Sequence, residues 1–158
     1  LEQVYAERIR ANPGAERLIA TLRGLGMQVA VVSGGFTFFT DRLARDLGLD
    51  ATEANELEVQ GGHLTGEVRG DIVDGARKAA FLEELRQAEG LASDQVIAMG
   101  DGANDLPMIE AAGMGIAYHA KPKVREAAPY NLAFSHLDGV LYLLGLTDHQ
   151  IAYYSETT

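Results

Sequence analysis

The sequence predicts an α/β fold, a doubly wound Rossmann-like parallel sheet with a small β-hairpin insertion. Two apolar runs end in glycine, "VAVVSGG" and "QVIAMG", which is typical of strands that are buried on both faces of a parallel sheet. Segments with helical spacing separate these runs, and strands that alternate with helices indicate βαβ units. In residues 53–70, two short strand-like runs flank "QGGH", which predicts the hairpin.

Apolar spacing, β-branched runs and the positions of glycine and proline set the order of the elements. Gly24 or Gly26 is expected to end the second helix and Gly48 the third, because glycine readily takes the left-handed conformation of a helix C-terminus. Pro107 fits only the first turn of its helix. The tail "TDHQIAYYSETT" has no clear pattern. The predicted elements, in order, are helices over "LEQVYAERIR" and "AERLIATLRGLG", a strand over "MQVAVVSGG", a helix over "TFFTDRLARDLGL", the hairpin, a helix over "DIVDGARKAAFLEELRQAEG", a strand over "DQVIAMG", a short helix over "ANDLPMIEAAG", a strand over "MGIAY", a short helix over "PKVREAA", a weaker strand over "YNLAFSH" and a helix over "LDGVLYLLGL".

The composition indicates an ordinary folded domain with an acidic surface. The 158 residues are 47% hydrophobic and 23% charged, which is enough apolar material for one domain with a core. The formal net charge of −10 argues against nucleic acid and anionic membranes as partners. No apolar run approaches the roughly 20 residues that span a bilayer. The absence of cysteine excludes disulfides and thiolate chemistry and fits a cytoplasmic location.

The segment "SGGF", which begins at Ser33, follows the first predicted strand. Ligands of open α/β sheets bind beyond the carboxyl ends of the strands, so residues at this position are candidates for a site. Glycines there let backbone N–H groups approach a ligand, and the Ser33 hydroxyl adds a donor, which suits an anion such as phosphate. Small residues also occur in ordinary strand-to-helix turns, and the pattern alone leaves that interpretation open.

The segment "MGDGANDLPM", residues 99–108, follows the second predicted strand and carries the strongest functional signal. Asp101 and Asp105 would repel each other at the end of a buried strand unless a cation lay beside them. Mg²⁺ is the natural candidate because it prefers oxygen ligands and keeps waters and phosphate oxygens in its shell. A turn followed by a helix cap would explain one of these side chains, but not the whole set.

Other chemistry-bearing residues give weaker signals. Lys78 lies on the helix between the two strands, where lysines are usually solvated, and Arg77 beside it would serve an anion equally well, so the pattern does not choose between them. The four histidines are far apart in the sequence and lack the spacing of a zinc site. The sequence contains no nucleophile elbow, Walker loop or dinucleotide fingerprint.

The longer motifs resemble those of the phosphoserine phosphatases, a family within the haloacid dehalogenase-like superfamily. The resemblance extends from "NPGAERLI" to about "YLLGL", and "GDGxND" is specific to the superfamily. It implies hydrolysis of O-phosphoserine to serine and phosphate, the last step of serine biosynthesis, through a phospho-aspartyl intermediate and with Mg²⁺ as cofactor. The strings that carry it are "VAVVSGGFTFF", "ANELEV", "GHLTGEVRGDIVDGARKAAFL" and "VIAMGDGANDLPMIEAAGMGIAYHAKPKV".

The resemblance also implies a role for individual residues. Ser33 and the Gly34 amide would bind the phosphoryl group, as would Asn104. Lys78, and not Arg77, would neutralise the phosphate and the nucleophile. The carboxylate of Asp101 would ligate Mg²⁺. The carboxylate of Asp105 would orient Lys78 or the waters of the metal.

The sequence departs from the family in one important respect. The nucleophile of these enzymes belongs to a D-x-D-x-[TV] motif on the central strand, and no such motif occurs here. The expectation is therefore that residues 1–11 are the remnant of a helical cap, that residues 12–158 form a core phosphatase domain incomplete at its N-terminal side, and that the sheet lacks its first, central strand. This chain alone is then expected to be inactive, with the N-terminal segment of the same protein as its partner.

Two other functions stay open at this point. One is a related phosphatase or phosphotransferase that acts on another small phosphomonoester, since the cap that would set specificity is not recognisable in the sequence. The other is a non-catalytic module that binds Mg²⁺ or phosphate.

Overall fold

The computed structural model describes residues 1–156, so the last two residues of the tail, Thr157 and Thr158, lie outside the described residues. The chain divides into two compact units. The first unit comprises Leu1–Asp71 and the chain from Ser135 onward, and the second comprises Ile72–Phe134. Each unit holds one three-stranded sheet together with helices, which confirms the predicted α/β class.

The elements follow the predicted order closely. Short 3₁₀ turns cover Ser93–Gln95 and Ala103–Asp105. In chain order, the helices and strands are α1 (Glu2–Arg8), α2 (Ala15–Gly24), β1 (Ala30–Phe36), α3 (Thr37–Leu47), β2 (Ala51–Gln60), β3 (His63–Arg69), α4 (Gly75–Ala88), β4 (Ile97–Gly100), α5 (Leu106–Ala111), β5 (Met114–Tyr118), α6 (Pro122–Ala127), β6 (Tyr130–Leu132), α7 (Gly139–Leu143) and α8 (Asp148–Ser155).

The sheet of the first unit has the strand order β1-β2-β3. β1 runs parallel to β2, and β2 pairs with β3 as the predicted antiparallel hairpin. Gly61 and Gly62 form its turn with φ values of 59° and 82°, a conformation that glycine adopts without strain. Helices α2 and α8 pack closely, since a Cβ added at Gly24 would overlap the carbonyl oxygen of Tyr154.

Strand β1 differs from its prediction as a strand buried on both faces. None of its residues is fully buried, and Ala30 and Gly34 are exposed. The reason is that β1 pairs only with β2 and therefore forms an edge of its sheet. Within residues 1–156, β1 and β4 do not pair, so the strands form two sheets and not one.

The second unit contains a parallel sheet of order β4-β5-β6. Its core includes a buried cluster from α5, β5 and α6 and the residue that follows α6, formed by Ile109, Ala117, Val124 and Ala128. β4 and β5 end side by side, with Gly100 paired to Ala117. The loop that begins at Asp101 therefore leaves the sheet at the carboxyl ends of two parallel strands.

The tail that lacked a clear sequence pattern forms α8. Thr147 caps this helix by accepting a hydrogen bond from the Gln150 backbone, and the Gln150 side chain accepts one from the Thr147 backbone. This T-x-x-Q capping box was the available sequence signal. Among the helices of residues 1–156, none combines the length and the apolar composition that crossing a bilayer requires.

Candidate active site

A buried ion pair lies at the centre of the candidate site. The Lys78 ammonium Nζ is 2.6 Å from Asp105 Oδ1, and each residue is only 6% exposed. Lys78 lies in the first turn of α4, which Asp74 caps by accepting a hydrogen bond from the Arg77 backbone. Asp105 lies in the loop after β4, so the pair joins α4 to that loop.

Asp105 is fully engaged by hydrogen-bond donors. While Oδ1 accepts from Lys78, Oδ2 accepts from the backbone N–H groups of Asp101 and Gly102, at 3.1 and 3.0 Å. Removing two charges from water is costly, and such a pair is tolerated only where further hydrogen bonds satisfy the ions. The carboxylate thus shapes the loop "GDGAND" and holds the lysine at the same time.

Arg77, the alternative cation, points to a different partner. Its guanidinium donates to both carboxylate oxygens of Glu84 at 2.6 and 2.8 Å, on the partly exposed surface of α4. The hydrogen bond from Arg77 lowers the pKa of the Glu84 carboxyl below its ordinary value. Lys78 is thus the cation that contacts the loop after β4 through Asp105, while Arg77 pairs with Glu84 of its own helix.

Glycines make room for this arrangement. A Cβ at Gly100 would lie only 2.6 Å from Asp105 Oδ2, and one at Gly102 would lie 2.6 Å from Asn104 Oδ1. A Cβ at Gly75, the first residue of α4, would lie 2.8 Å from the Asn104 carbonyl oxygen. The φ of Gly102 is −109°, which any residue adopts, and its close neighbour is the end of the exposed Asn104 side chain, so close approach constrains Gly100 and Gly75 more strongly.

Asp101 presents its side chain at the exposed surface of the same loop. Its backbone N–H donates to Asp105, and its carbonyl accepts a hydrogen bond from the Lys121 backbone at 3.2 Å. The main chain of Asp101 is thus held from both sides, whereas its carboxylate faces solvent. Asn104 is also exposed, three residues further along.

The loop after β4 offers Mg²⁺ only part of the oxygen ligand set that this ion requires. Within residues 1–156, no three His, Asp or Glu side chains form a group that could hold a metal ion. Because both oxygens of Asp105 are engaged, Asp101 is the carboxylate of this loop that remains exposed to a cation. An exposed hard oxygen ligand fits Mg²⁺, which is usually bound through one or two carboxylates plus waters and substrate oxygens. The loop thus provides one ligand for such an ion, the Asp101 carboxylate, and does not provide a complete coordination shell.

Ser33 and Gly34 lie in the first unit, at an irregular end of β1. Between Val32 and Phe36 the register against β2 shifts, so residues 33–35 bulge out of the ladder. The Gly35 N–H donates to Ser33 Oγ at 3.0 Å, and Asn55 of β2 donates to the Gly34 carbonyl at 2.8 Å. Ser33 Oγ accepts a hydrogen bond here, so its own hydroxyl hydrogen can point to a ligand.

The predicted site residues therefore form two groups. Lys78, Asp101, Asn104 and Asp105 belong to the second unit, where the contacts above join Lys78, Asp105 and the Asp101 backbone. Ser33 and Gly34 belong to the first unit, and that both groups serve one ligand stays a prediction.

Two residues that shape these groups were not expected from the sequence. They are Gly75, which allows close approach, and Asn55, which bonds to the Gly34 carbonyl. Gly75 carried a weak sequence signal, because a glycine in a helix often marks close packing.

Known proteins resemble this chain over most of its length. A sequence profile of haloacid dehalogenase-like hydrolases matches residues 1–110. The phosphoserine phosphatase of Streptomyces coelicolor is 53% identical over 151 residues, which is 96% of this chain and 37% of that protein. The crystal structure of a probable phosphoserine phosphatase from Vibrio cholerae matches with a TM-score of 0.88 and 41% identity, covering all of this chain and 47% of that one.

A third comparison is with a solved structure of a phospho-aspartyl intermediate analogue of phosphoserine phosphatase. It matches with a TM-score of 0.84 and 39% identity over 90% of this chain and 68% of that one. The chain thus spans less than half of the Streptomyces and Vibrio proteins that it matches. With a family profile that matches well over half of its residues, the chain belongs to the haloacid dehalogenase-like hydrolases.

Proposed function

We propose that this chain is the phosphate- and Mg²⁺-binding part of a phosphatase that hydrolyses O-phosphoserine to serine and phosphate. The observation that carries the proposal is the buried ion pair between Lys78 and Asp105, the last residue of the loop "GDGAND". The names of the relatives support the substrate, since a protein 53% identical to this chain is a phosphoserine phosphatase.

The proposed chemistry assigns each charged or polar group one task. Lys78, held by Asp105, offers a cation whose position is fixed before the phosphate dianion arrives, so that little reorganisation accompanies the reaction. The Ser33 hydroxyl and the Gly34 N–H donate to phosphoryl oxygens, and Asn104 contacts the same group. A Mg²⁺ ion held by the Asp101 carboxylate would supply further neutralisation of charge on the phosphoryl oxygens.

The covalent step requires a group that residues 1–158 do not offer in the expected motif. We propose that an aspartate outside these residues attacks phosphorus, that serine leaves, and that water then cleaves the phospho-aspartyl intermediate. A related structure described as a phospho-aspartyl intermediate analogue supports this route.

The acidic net charge of −10 supports the accompanying proposal that nucleic acid and anionic membranes are not partners.

Two measurements on the 158-residue chain test the proposal. Calorimetric titration with inorganic phosphate in the presence of MgCl₂ is expected to show binding. An assay of phosphate release from O-phosphoserine is expected to show none above buffer. Turnover would show that another residue serves as the nucleophile, and the absence of any phosphate binding would overturn the assignment of the site. Other phosphomonoesters, tested as competitors of phosphoserine for binding to the chain, show whether the site prefers phosphoserine to related substrates.

A further inference from the structure

The peptide group between Gly34 and Gly35 is held at both of its polar ends by side chains. Its carbonyl, which belongs to Gly34, accepts a hydrogen bond from Asn55 Nδ2 at 2.8 Å. Its N–H, which belongs to Gly35, donates to Ser33 Oγ at 3.0 Å. The plane of this one peptide is therefore fixed, although it lies in the part of β1 where the ladder to β2 is interrupted.

This peptide would otherwise be free to turn over. Neither glycine has a Cβ, so steric limits on rotation of the peptide plane are weak. The register shift between Val32 and Phe36 removes the regular strand pairing that normally fixes a peptide orientation. If the plane of this peptide turned over, the Gly34 carbonyl oxygen would point in the opposite direction. A carbonyl oxygen that points toward a phosphate dianion repels it.

Asn55 is well suited to prevent that reversal. It pairs with Phe36 at the point where the ladder resumes, and it is only 6% exposed. If the peptide reversed, the buried Asn55 amide would lose the carbonyl that accepts its hydrogen bond. This loss costs substantial free energy, because no water replaces the lost hydrogen bond. The bond also spans 21 residues of sequence, so it ties the irregular end of β1 to the interior of β2.

We propose that Asn55 is a positioning residue that keeps the Gly34 carbonyl turned away from a phosphoryl group bound at the Ser33–Gly35 turn. The inference rests on the proposed function, since it takes the ligand of this turn to be a phosphate. Asn55 itself does not touch the ligand. It acts by holding the peptide between Gly34 and Gly35, so that the carbonyl oxygen of this peptide is not turned toward the anion.

The variant Asn55→Ala in the full chain tests this, with Asn131→Ala as the matched control. Asn131 also donates from Nδ2 to a backbone carbonyl, that of Arg125 at 3.0 Å, but in the second unit. Asn55→Ala is expected to weaken the binding of inorganic phosphate roughly tenfold and to speed hydrogen exchange of the Gly35 amide. Asn131→Ala is expected to change neither quantity.

A measurement on the unaltered chain guards against a variant that fails to fold. The scalar coupling across the hydrogen bond between Asn55 Nδ2 and the Gly34 carbonyl carbon is expected to persist when phosphate is added. Loss of this coupling on binding, or unchanged phosphate affinity in a folded Asn55→Ala protein, would overturn the inference and leave the proposed function intact. If the unaltered chain binds no phosphate, both the proposed function and this inference fail.

Discussion

The carboxylate of Asp105 binds the ammonium of Lys78 at 2.6 Å while its second oxygen accepts two backbone N–H groups of the loop after β4. One side chain thus orders both the lysine and the loop that carries Asp101. We therefore expect stability and ligand binding to be coupled in the second unit, and separate variants can distinguish the two effects.

Replacing Asp105 by alanine leaves the Lys78 ammonium buried without its counter-charge. We expect Asp105→Ala to lower the free energy of unfolding by about 3–5 kcal/mol, the range typical of a broken buried pair. Denaturation in urea measures this change. The control is Glu84→Ala, which breaks the more exposed pair with Arg77 and is expected to lower the free energy of unfolding far less, because exposed ion pairs contribute little to stability. Equal losses in the two variants would contradict the importance given to the buried pair.

The Asp101 carboxylate is the proposed ligand of Mg²⁺. We expect Asp101→Asn to weaken Mg²⁺ binding by at least about tenfold, since an amide oxygen carries no net charge to attract the cation. Calorimetric titration with MgCl₂ measures the affinity. Asp94→Asn removes the same charge from an exposed position of the second unit and is expected to leave the affinity nearly unchanged. If both variants lose affinity equally, then general electrostatics and not coordination explains the effect.

Glu83 provides a prediction about pH. Hydrogen bonds from Arg86, and secondarily from Gln87, lower the pKa of the Glu83 carboxyl from 4.5 to about 2. Because the folded pKa is depressed, the stabilisation from this group is fully present above pH 4.5 and is lost as the pH falls toward 2. An NMR titration that follows the Glu83 carboxyl carbon is expected to show its midpoint near 2. A midpoint at the ordinary value would show that the pair with Arg86 does not persist in solution.

Local patterns predicted much of the fold. The hairpin was evident from "QGGH", and the structure places its two glycines in the turn with positive φ. The burial of β1 was predicted wrongly, because an apolar run does not reveal how many strands pair with it. Helix α8 was missed because its capping box, Thr147 with Gln150, precedes a segment without strong apolar spacing.

The contacts of the candidate site were harder to predict than its residues. The sequence contained the loop "GDGAND", but the helical position of Lys78 gave no sign that this lysine is buried. Its contact with Asp105 joins residues 27 apart, and that of Asn55 with Gly34 joins residues 21 apart. Such contacts depend on how the elements pack and leave no trace in the spacing of nearby residues.

An NMR titration of the chain with inorganic phosphate in the presence of Mg²⁺ tests whether the two groups of site residues act together. We predict from the sequence that the Ser33–Gly34 group and the Lys78–Asp105 group bind the same phosphoryl ligand. The amide signals of Gly34 and Gly102 are then expected to shift together, and both titration curves to give one dissociation constant. A shift in only one group, or two clearly different constants, would disprove this prediction.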